Sequence, residues 1–181
     1  MVYLFLAEGF EEVEAITPID YLRRAGIDVT TVGIGGTQIT GAHGITVNTD
    51  ICECALNENS ESADMIILPG GMPGTLNLKA SETVISFIKK AAENNAYIGA
   101  ICAAPSILGE MGLLQGKRAV CYPGFEDKLL GARLCDCNAV RDGNIITARS
   151  AGGACDFARE LISAIKGADA AGKVMDAIIS K

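Results

Sequence analysis

The segment covering residues 97–108 constrains the fold most, because an apolar run ends at a cysteine and a helix begins immediately afterwards. The apolar run predicts a buried strand, and Pro105 suits a first helical turn, where no backbone N–H needs an acceptor. Ala100 and Ala104 flank Cys102 two positions away on either side. Such small neighbours permit the sharp strand-to-helix turn of a nucleophile elbow, here with Cys in place of Ser.

Cys102 has two interpretations at this point. At an elbow, the helix N-terminus contributes partial positive charge, which favours the thiolate over the thiol. The alternative is a core cysteine packed among alanines, since free cysteine is among the most buried residue types. This segment alone does not decide between the two.

Length and composition predict one α/β domain over residues 1–181. The 21 glycines and a hydrophobic share of 49% are typical of a buried core joined by tight turns. The net charge of −7 argues against nucleic acid or anionic membranes as partners, since both require clustered Lys and Arg. The first residues lack a basic segment and no stretch approaches a membrane span, so we expect neither a signal peptide nor a membrane anchor.

The chain has seven cysteines, which without a secretion signal indicate a cytoplasmic location and free thiols. The pairs Cys52-Glu53-Cys54 and Cys135-Asp136-Cys137 raise the alternative of a four-thiolate zinc site. Zinc motifs usually place about two to four residues between ligands, so incidental cysteines are favoured. We predict no metal and no other cofactor.

Strands that alternate with helices predict a doubly wound α/β fold, with a mostly parallel sheet sandwiched by helices. A hairpin turn is expected at Asp142-Gly143, a helix end at Gly167 and a helix N-cap at Asp169. Besides the elbow, strands are predicted at 2–6, 27–32, 38–40, 45–49, 65–68, 118–121, 138–141 and 144–148, helices at 11–25 (disturbed at Pro18), 81–94, 154–166 and 170–179, and a surface loop at 57–62.

Three segments are expected to converge at one edge of this sheet, because ligands bind beyond the carboxyl ends of parallel strands. They are residues 7–14, Pro69-Gly70-Gly71 and Cys102. Glycines permit close backbone approach, so the Gly70 and Gly71 amides are candidates for an oxyanion site beside Cys102. A plain tight turn is the alternative for this glycine pair.

Several acidic residues open the first helix, where negative charge complements the helix dipole. Glu11 and Glu14 are three positions apart and share a helix face. The spacing leaves open which of them turns toward Cys102.

Taken together, these segments resemble the ThiJ/PfpI superfamily, in the branch of the parkinsonism-associated protein deglycase and the bacterial YajL-like proteins. The matching segments keep their order over nearly the whole chain, at residues 6–14, 23–27, 68–71, 100–105 and 127–129. The resemblance implies a flavodoxin-like homodimer with Cys102 as reactive cysteine and Glu14 as its buried carboxyl partner. It also implies an oxyanion site at Gly70, Gly71 and Ala103.

A carboxylate and a thiolate in contact repel each other, so the two groups should titrate as a coupled pair. We expect the proton to stay on Glu14 and to donate a hydrogen bond to the sulfur. Cys102 would then remain a thiolate near neutral pH.

Two departures from the family pattern concern histidine. Other members carry a histidine on the strand after the elbow, where this chain has Tyr122, and the protease-like branch has one where this chain has Ala103. The only histidine, His43, aligns with a family arginine near the pocket mouth, and a lone histidine is more often a surface or packing residue than a catalyst. A Cys-His-acid peptidase is therefore disfavoured, and Tyr122 and His43 are assigned to the pocket.

Two function classes fit these residues, and the sequence does not separate them. The first is a cysteine enzyme of the glyoxalase or deglycase type, acting on small reactive aldehydes or their adducts and protecting against oxidative stress. Cys102 would attack the aldehyde to give a hemithioacetal, with Glu14 moving the proton. The second is a non-enzymatic redox sensor or stress chaperone that uses the oxidisable cysteine. An amidase or other hydrolase is a weaker third alternative, because the histidine is missing.

Overall fold

A computed structural model of the protein describes residues 1–56 and 63–179, so the surface loop expected at 57–62 lies outside the described residues. The helices are Glu12–Arg24 (α1), Gly74–Ala80 (α2), Glu82–Glu93 (α3), Pro105–Glu110 (α4), Ala154–Lys166 (α5) and Ala168–Ala177 (α6). The strands are Val2–Leu6 (β1), Val29–Gly33 (β2), Gln38–Thr40 (β3), Thr46–Asn48 (β4), Ile51–Cys52 (β5), Met65–Leu68 (β6), Tyr97–Ile101 (β7), Arg118–Ala119 (β8), Arg133–Leu134 (β9), Ala139–Asp142 (β10) and Ile145–Ala148 (β11). Within these ranges, no helix is both long and apolar enough to cross a membrane.

Seven strands form the main sheet, in the order β10-β11-β7-β6-β1-β2-β5. Every neighbouring pair is parallel except β10 and β11, which form an antiparallel hairpin at one edge. All residues of β1 and β6 are buried, as expected of strands in a sheet that is covered on both faces. The predicted mostly parallel, doubly wound sheet is confirmed.

The two faces of the sheet carry separate apolar cores, because successive strand residues point to opposite sides. In β1, Leu4 and Leu6 pack on the face covered by α1, α5 and α6. Tyr3 and Phe5 pack on the other face, with apolar residues of α2, α3 and α4. Both faces of β1 are therefore covered, and the segment after β1 leaves the sheet at the carboxyl end of the strand.

Two predicted helix features are corrected. Helix α1 runs from Glu12 to Arg24 through Pro18, whose side chain is buried, so the disturbance expected at this residue does not interrupt the helix. Helix α6 is capped by Gly167, and Asp169 lies in its first turn, so the predicted N-cap at Asp169 is wrong.

Strand and helix boundaries also differ from the prediction. Strand β10 extends through Asp142, so the hairpin turn consists of Gly143-Asn144 instead of Asp142-Gly143. Helix α2 is absent from the prediction because it is short and joins α3 directly. Ser81 ends α2, and its hydroxyl accepts a hydrogen bond from the Val84 N–H to begin α3.

Candidate active site

Cys102 lies at the elbow between β7 and α4, as predicted. Its φ of 64° falls in the left-handed region, which costs a residue with a side chain about 1–3 kcal/mol. The Cys102 N–H donates to the Ala148 carbonyl at 2.9 Å, and its carbonyl accepts from the Tyr122 N–H at 2.8 Å. These two bonds, from segments on either side, hold Cys102 in this rare conformation. The half-buried side chain thereby stands at the carboxyl end of the sheet.

The carboxyl group of Glu14 contacts the Cys102 sulfur through a hydrogen bond. Glu14 is only 1% exposed, and its Oε2 accepts from the Gly70 N–H at 3.0 Å. The Cys102 sulfur accepts from the backbone N–H groups of Gly71 and Ala103. Of the two acidic candidates on the helix face, Glu14 is therefore the one that turns toward the cysteine.

The backbone N–H groups of the predicted oxyanion site point in two directions. The Gly70 amide is directed at the Glu14 carboxyl, whereas the amides of Gly71 and Ala103 face the sulfur. Gly70 contributes in another way, because a β-carbon there would lie 2.6 Å from both the Cys102 Cβ and the Glu14 Oε2. Only glycine leaves room for the acid and the thiol to meet.

The loops after β1 and β6 also touch through their backbones. The Glu11 N–H donates to the Gly70 carbonyl at 2.9 Å, and the Gly74 N–H donates to the Gly9 carbonyl at 3.1 Å. A β-carbon at Gly71 would lie 2.3 Å from the Glu11 nitrogen, and Gly71 has a φ of 92°. Glycine at this position therefore lets the start of α1 pack directly on the loop beneath the sulfur.

Burial sets the titration of the Glu14–Cys102 pair. It raises the pKa of Glu14 to about 7; the hydrogen bonds from Cys102 and Gly70 oppose that rise, and the nearby Glu11 carboxylate adds to it. Burial also raises the pKa of the Cys102 thiol to about 12, with a further increase from the Glu14 charge. The predicted low thiol pKa is therefore not what this environment produces. Between these values the pair holds one proton, on the Cys102 sulfur, and one negative charge, on Glu14. A thiolate forms when that proton moves to the Glu14 carboxylate.

A second cluster surrounds Glu12 at the start of α1. Its Oε1 accepts from the backbone N–H groups of His43 at 2.8 Å and Ile45 at 3.3 Å, and its Oε2 lies 3.0 Å from the His43 Nδ1. The His43 Nδ1 is also 3.5 Å from the Glu11 Oε2. His43 is thus held by the acidic side chains at the start of α1. No sequence pattern indicated that Glu12 would be its partner.

The charges of this second cluster stabilise one another. Burial acts to raise the pKa of Glu12, but the hydrogen bonds from the His43 ring and from backbone amides outweigh it, so the pKa lies below its usual value. The hydrogen bond to Glu12 and the charges of Glu11 and Glu12 raise the pKa of His43. The cluster therefore favours an ionised Glu12 beside a protonated His43.

Glu11, Glu12 and His43 each offer one potential metal ligand atom, and these atoms lie within 4.8 Å of one another. Both Glu12 oxygens already accept hydrogen bonds, so an ion-pair cluster describes the geometry better than a metal site. Among the residues that the structure describes, no such group includes the four cysteines of the Cys-x-Cys pairs.

Cys52 and Cys54 form a disulfide, and the other five cysteines are free. The prediction of seven free thiols is therefore wrong for this pair. A 3₁₀ turn over Glu53–Ala55 brings the two Cα atoms to 5.3 Å, within the range of roughly 4.4–6.8 Å that a disulfide requires.

Tyr122 occupies the rim of the site. Its side chain is 47% exposed, and its N–H is the donor to the Cys102 carbonyl described above. Of the two residues assigned to the pocket, Tyr122 adjoins the cysteine through the backbone, whereas His43 is bound to the acidic start of α1.

The match to a known family covers most of the chain. Residues 1–164 match the DJ-1/PfpI family. The chain belongs to this family. The family resemblance seen in the sequence, with the fold that it implied, is confirmed.

Among DJ-1/PfpI relatives, the Parkinson disease protein 7 homolog of Danio rerio is 32% identical, over 98% of this chain and 96% of its own length. A Pyrococcus abyssi protein named as a deglycase is 33% identical, over 91% of this chain and 99% of its own length. The solved structure of Toxoplasma gondii DJ-1, described as oxidized, has a TM-score of 0.93 and 32% identity, and covers 98% of this chain and 97% of that chain. These names agree with the function class that the resemblance implied.

Proposed function

We propose that this protein is a cysteine-dependent enzyme of the deglycase type, acting on small reactive aldehydes or on the adducts that they form with amines and thiols. The contact between the buried Glu14 carboxyl and the Cys102 sulfur carries this proposal. Deglycase-named relatives of similar length support it. Protection against oxidative stress and a cytoplasmic location belong to the proposal as well.

The chemistry begins when the singly charged pair moves its proton from the Cys102 sulfur to the Glu14 carboxylate, which gives a thiolate beside a neutral acid. The thiolate attacks the aldehyde carbon, a C–S bond forms, and the carbonyl electron pair moves to oxygen. The Glu14 O–H gives its proton to that oxygen, which yields a neutral hemithioacetal and a Glu14 carboxylate. The site holds one negative charge before and after this step, so no second charge has to be buried.

The backbone amides of Gly71 and Ala103 assist the attack of the Cys102 sulfur on the aldehyde. In the resting site, the N–H groups of Gly71 and Ala103 point at the sulfur, where they stabilise negative charge without any rearrangement. As the C–S bond forms, charge moves from sulfur to the adjacent oxygen, and fixed donors at this position stabilise it. The carboxylate left on Glu14 can then accept a proton in the following step.

Turnover of methylglyoxal tests the proposal. We expect wild-type protein to consume it and Cys102→Ala to lose all turnover, because the nucleophile is removed. Cys155→Ala, which removes an exposed free thiol elsewhere, is the matched control and should retain wild-type turnover. Equal rates for wild type and Cys102→Ala would reject an enzyme that acts through this cysteine.

A redox sensor is the second candidate function, favoured by a half-buried thiol that is surrounded by hydrogen-bond donors. Two molecules of hydrogen peroxide would each give one oxygen atom to the Cys102 sulfur and leave as water, producing a sulfinic acid. Gly71 and Ala103 amides could then donate to its oxygens. A mass increase of two oxygen atoms at Cys102, in a protein without turnover, would favour this function over the first.

We also infer a homodimer that is formed through the start of α1. Val13 and Ile16 lie three positions apart on this helix and are 47% and 43% exposed, so they present an apolar face beside the candidate site. Sedimentation should show a dimer for wild type and a monomer for the double variant Val13→Glu, Ile16→Glu. A wild-type monomer at micromolar concentration would contradict the inference.

A further inference from the structure

The Cys52–Cys54 disulfide lies at the open edge of the main sheet. Strand β5 is the last strand on that side and pairs with β2 through only two residue pairs, Val32 with Ile51 and Gly33 with Cys52. Cys52 is half-buried, and Cys54, in the turn that follows, is exposed. A small molecule can therefore reach the disulfide from solvent.

This disulfide contributes little to holding the fold together. A disulfide stabilises a protein mainly by constraining its unfolded chain, and the effect grows with the length of the loop that it closes. Here one residue separates the two cysteines, and both belong to the same strand-and-turn segment. The Cys52–Cys54 disulfide therefore does not act as a structural cross-link between distant elements.

Other contacts hold this corner in place whether or not the sulfurs are bonded. The Glu53 Oε1 accepts from the Gly35 N–H at 3.0 Å, and its Oε2 accepts from the Ser81 hydroxyl at 3.3 Å. The Cys54 N–H donates to the Cys52 sulfur at 3.0 Å. Opening of the S–S bond would therefore leave two thiols close together on a positioned turn, ready to form the bond again.

We propose that Cys52 and Cys54 form a second redox centre, an exchangeable disulfide that reacts with small thiols independently of Cys102. A thiolate attacks the exposed Cys54 sulfur, the S–S bond breaks, and its electron pair leaves with Cys52, which takes a proton. A second thiol attacks the mixed disulfide and releases Cys54. In total, two small thiols are oxidised to one disulfide, and the cysteine pair gains two electrons and two protons.

The second Cys-x-Cys pair is a control within the same chain. Cys135 and Cys137 have the same spacing but are free thiols. The Cys135 thiol donates a hydrogen bond to the Arg133 carbonyl at 3.7 Å. Asp136, between the two cysteines, forms an ion pair with Arg149 and does not belong to a 3₁₀ turn. The spacing is shared, so the 3₁₀ turn with its Glu53 anchor distinguishes the exchangeable pair.

Full-length protein equilibrated in glutathione buffers, from fully oxidised to fully reduced, tests the proposal. Free thiols are trapped with iodoacetamide after acid quenching and assigned by peptide mapping. We expect Cys52 and Cys54 to gain label together as the buffer becomes reducing, by at least about tenfold, in wild type and in Cys102→Ala alike. Cys135 and Cys137 should lose label in the oxidising buffers only by forming mixed disulfides, whose added glutathione mass distinguishes them from the internal Cys52–Cys54 bond.

A single-cysteine variant locates the sulfur that is attacked. In Cys52→Ser, oxidised glutathione should form a lasting mixed disulfide with Cys54, because the partner that would expel glutathione is missing. Label on Cys52 and Cys54 that stays constant across all buffers would overturn the proposal. Loss of the exchange in Cys102→Ala would overturn its independence from Cys102.

Discussion

Glu12 and Glu14 lie two residues apart in α1 and are 6% and 1% exposed, yet their surroundings shift their pKa values in opposite directions. Glu12 meets two backbone N–H groups and the His43 ring, so its pKa is lowered although burial opposes this. Glu14 meets a thiol and few amides, so burial prevails and raises its pKa to about 7. Burial alone therefore does not set the charge of a carboxyl; the supply of donors around it decides.

The same comparison separates two tasks within one helical turn. The Glu12 carboxylate fixes the loop between β3 and β4 to the start of α1 through His43 and Ile45. Glu14 is left with a proton that it can give away near neutral pH. In the proposed function, one carboxyl therefore serves structure and the other serves chemistry.

The largest expected effect concerns turnover. Glu14→Leu removes the proton donor beside Cys102 and should lower methylglyoxal turnover by about 100-fold or more, as is usual for the loss of a general acid–base group. Glu12→Leu removes a carboxyl of the same helix that does not contact the sulfur, so turnover should stay within a few-fold of wild type in the folded protein. Similar losses in both variants would mean that the two carboxyls do not differ in role.

The next largest effect concerns how the free energy of unfolding depends on pH. The folded-state pKa of Glu14 is raised from 4.5 to about 7, so the folded protein binds this proton more tightly than the unfolded chain. Its stabilising contribution is complete below pH 4.5 and is lost as pH rises through 7, by about 3 kcal/mol in total.

Urea unfolding between pH 4.5 and 7.5 measures this loss. The difference between wild type and Glu14→Gln isolates it, because Gln does not titrate and His43 contributes equally to both proteins. Parallel pH profiles for the two proteins would show that Glu14 has an ordinary pKa in the fold.

The smallest effect concerns the structural carboxyl. Glu12→Ala leaves the His43 and Ile45 amides without their acceptor and should cost about 2 kcal/mol of unfolding free energy at pH 7. Glu12→Gln keeps one acceptor oxygen and should recover part of this loss. Unfolding in urea measures both variants, and an equal loss in Gln and Ala would contradict a role for the hydrogen bonds.

The sequence predicted those parts of the fold that depend on local pattern. Continuous apolar runs indicated the bounds of β1 and β6, and Gly167 indicated the end of α5. The elbow at Cys102 followed from small neighbours and a proline in the next turn. Glu14 was selected by family resemblance, since spacing alone left Glu11 equally possible.

What the sequence missed depends on contacts between distant segments. Glu12 gains its partners from residues about thirty positions away, and nothing in an acidic run distinguishes it from Glu11. The direction of the Gly70 amide and the raised pKa of Cys102 depend on how deeply the pair is enclosed. The Cys52–Cys54 bond depends on a turn whose geometry the spacing did not reveal, as the free Cys135 and Cys137 show.

The glycine contacts between the loops after β1 and β6 have a further consequence. Gly70 and Gly71 leave no side chain between these loops, so main-chain spacing sets the distance from the acid to the sulfur. Substitutions that repack either apolar core move side chains by small amounts. Such shifts hardly change the distance between the main chains of these two loops. The chain can therefore accept many substitutions in its interior while the distance between the Glu14 carboxyl and the Cys102 sulfur stays the same.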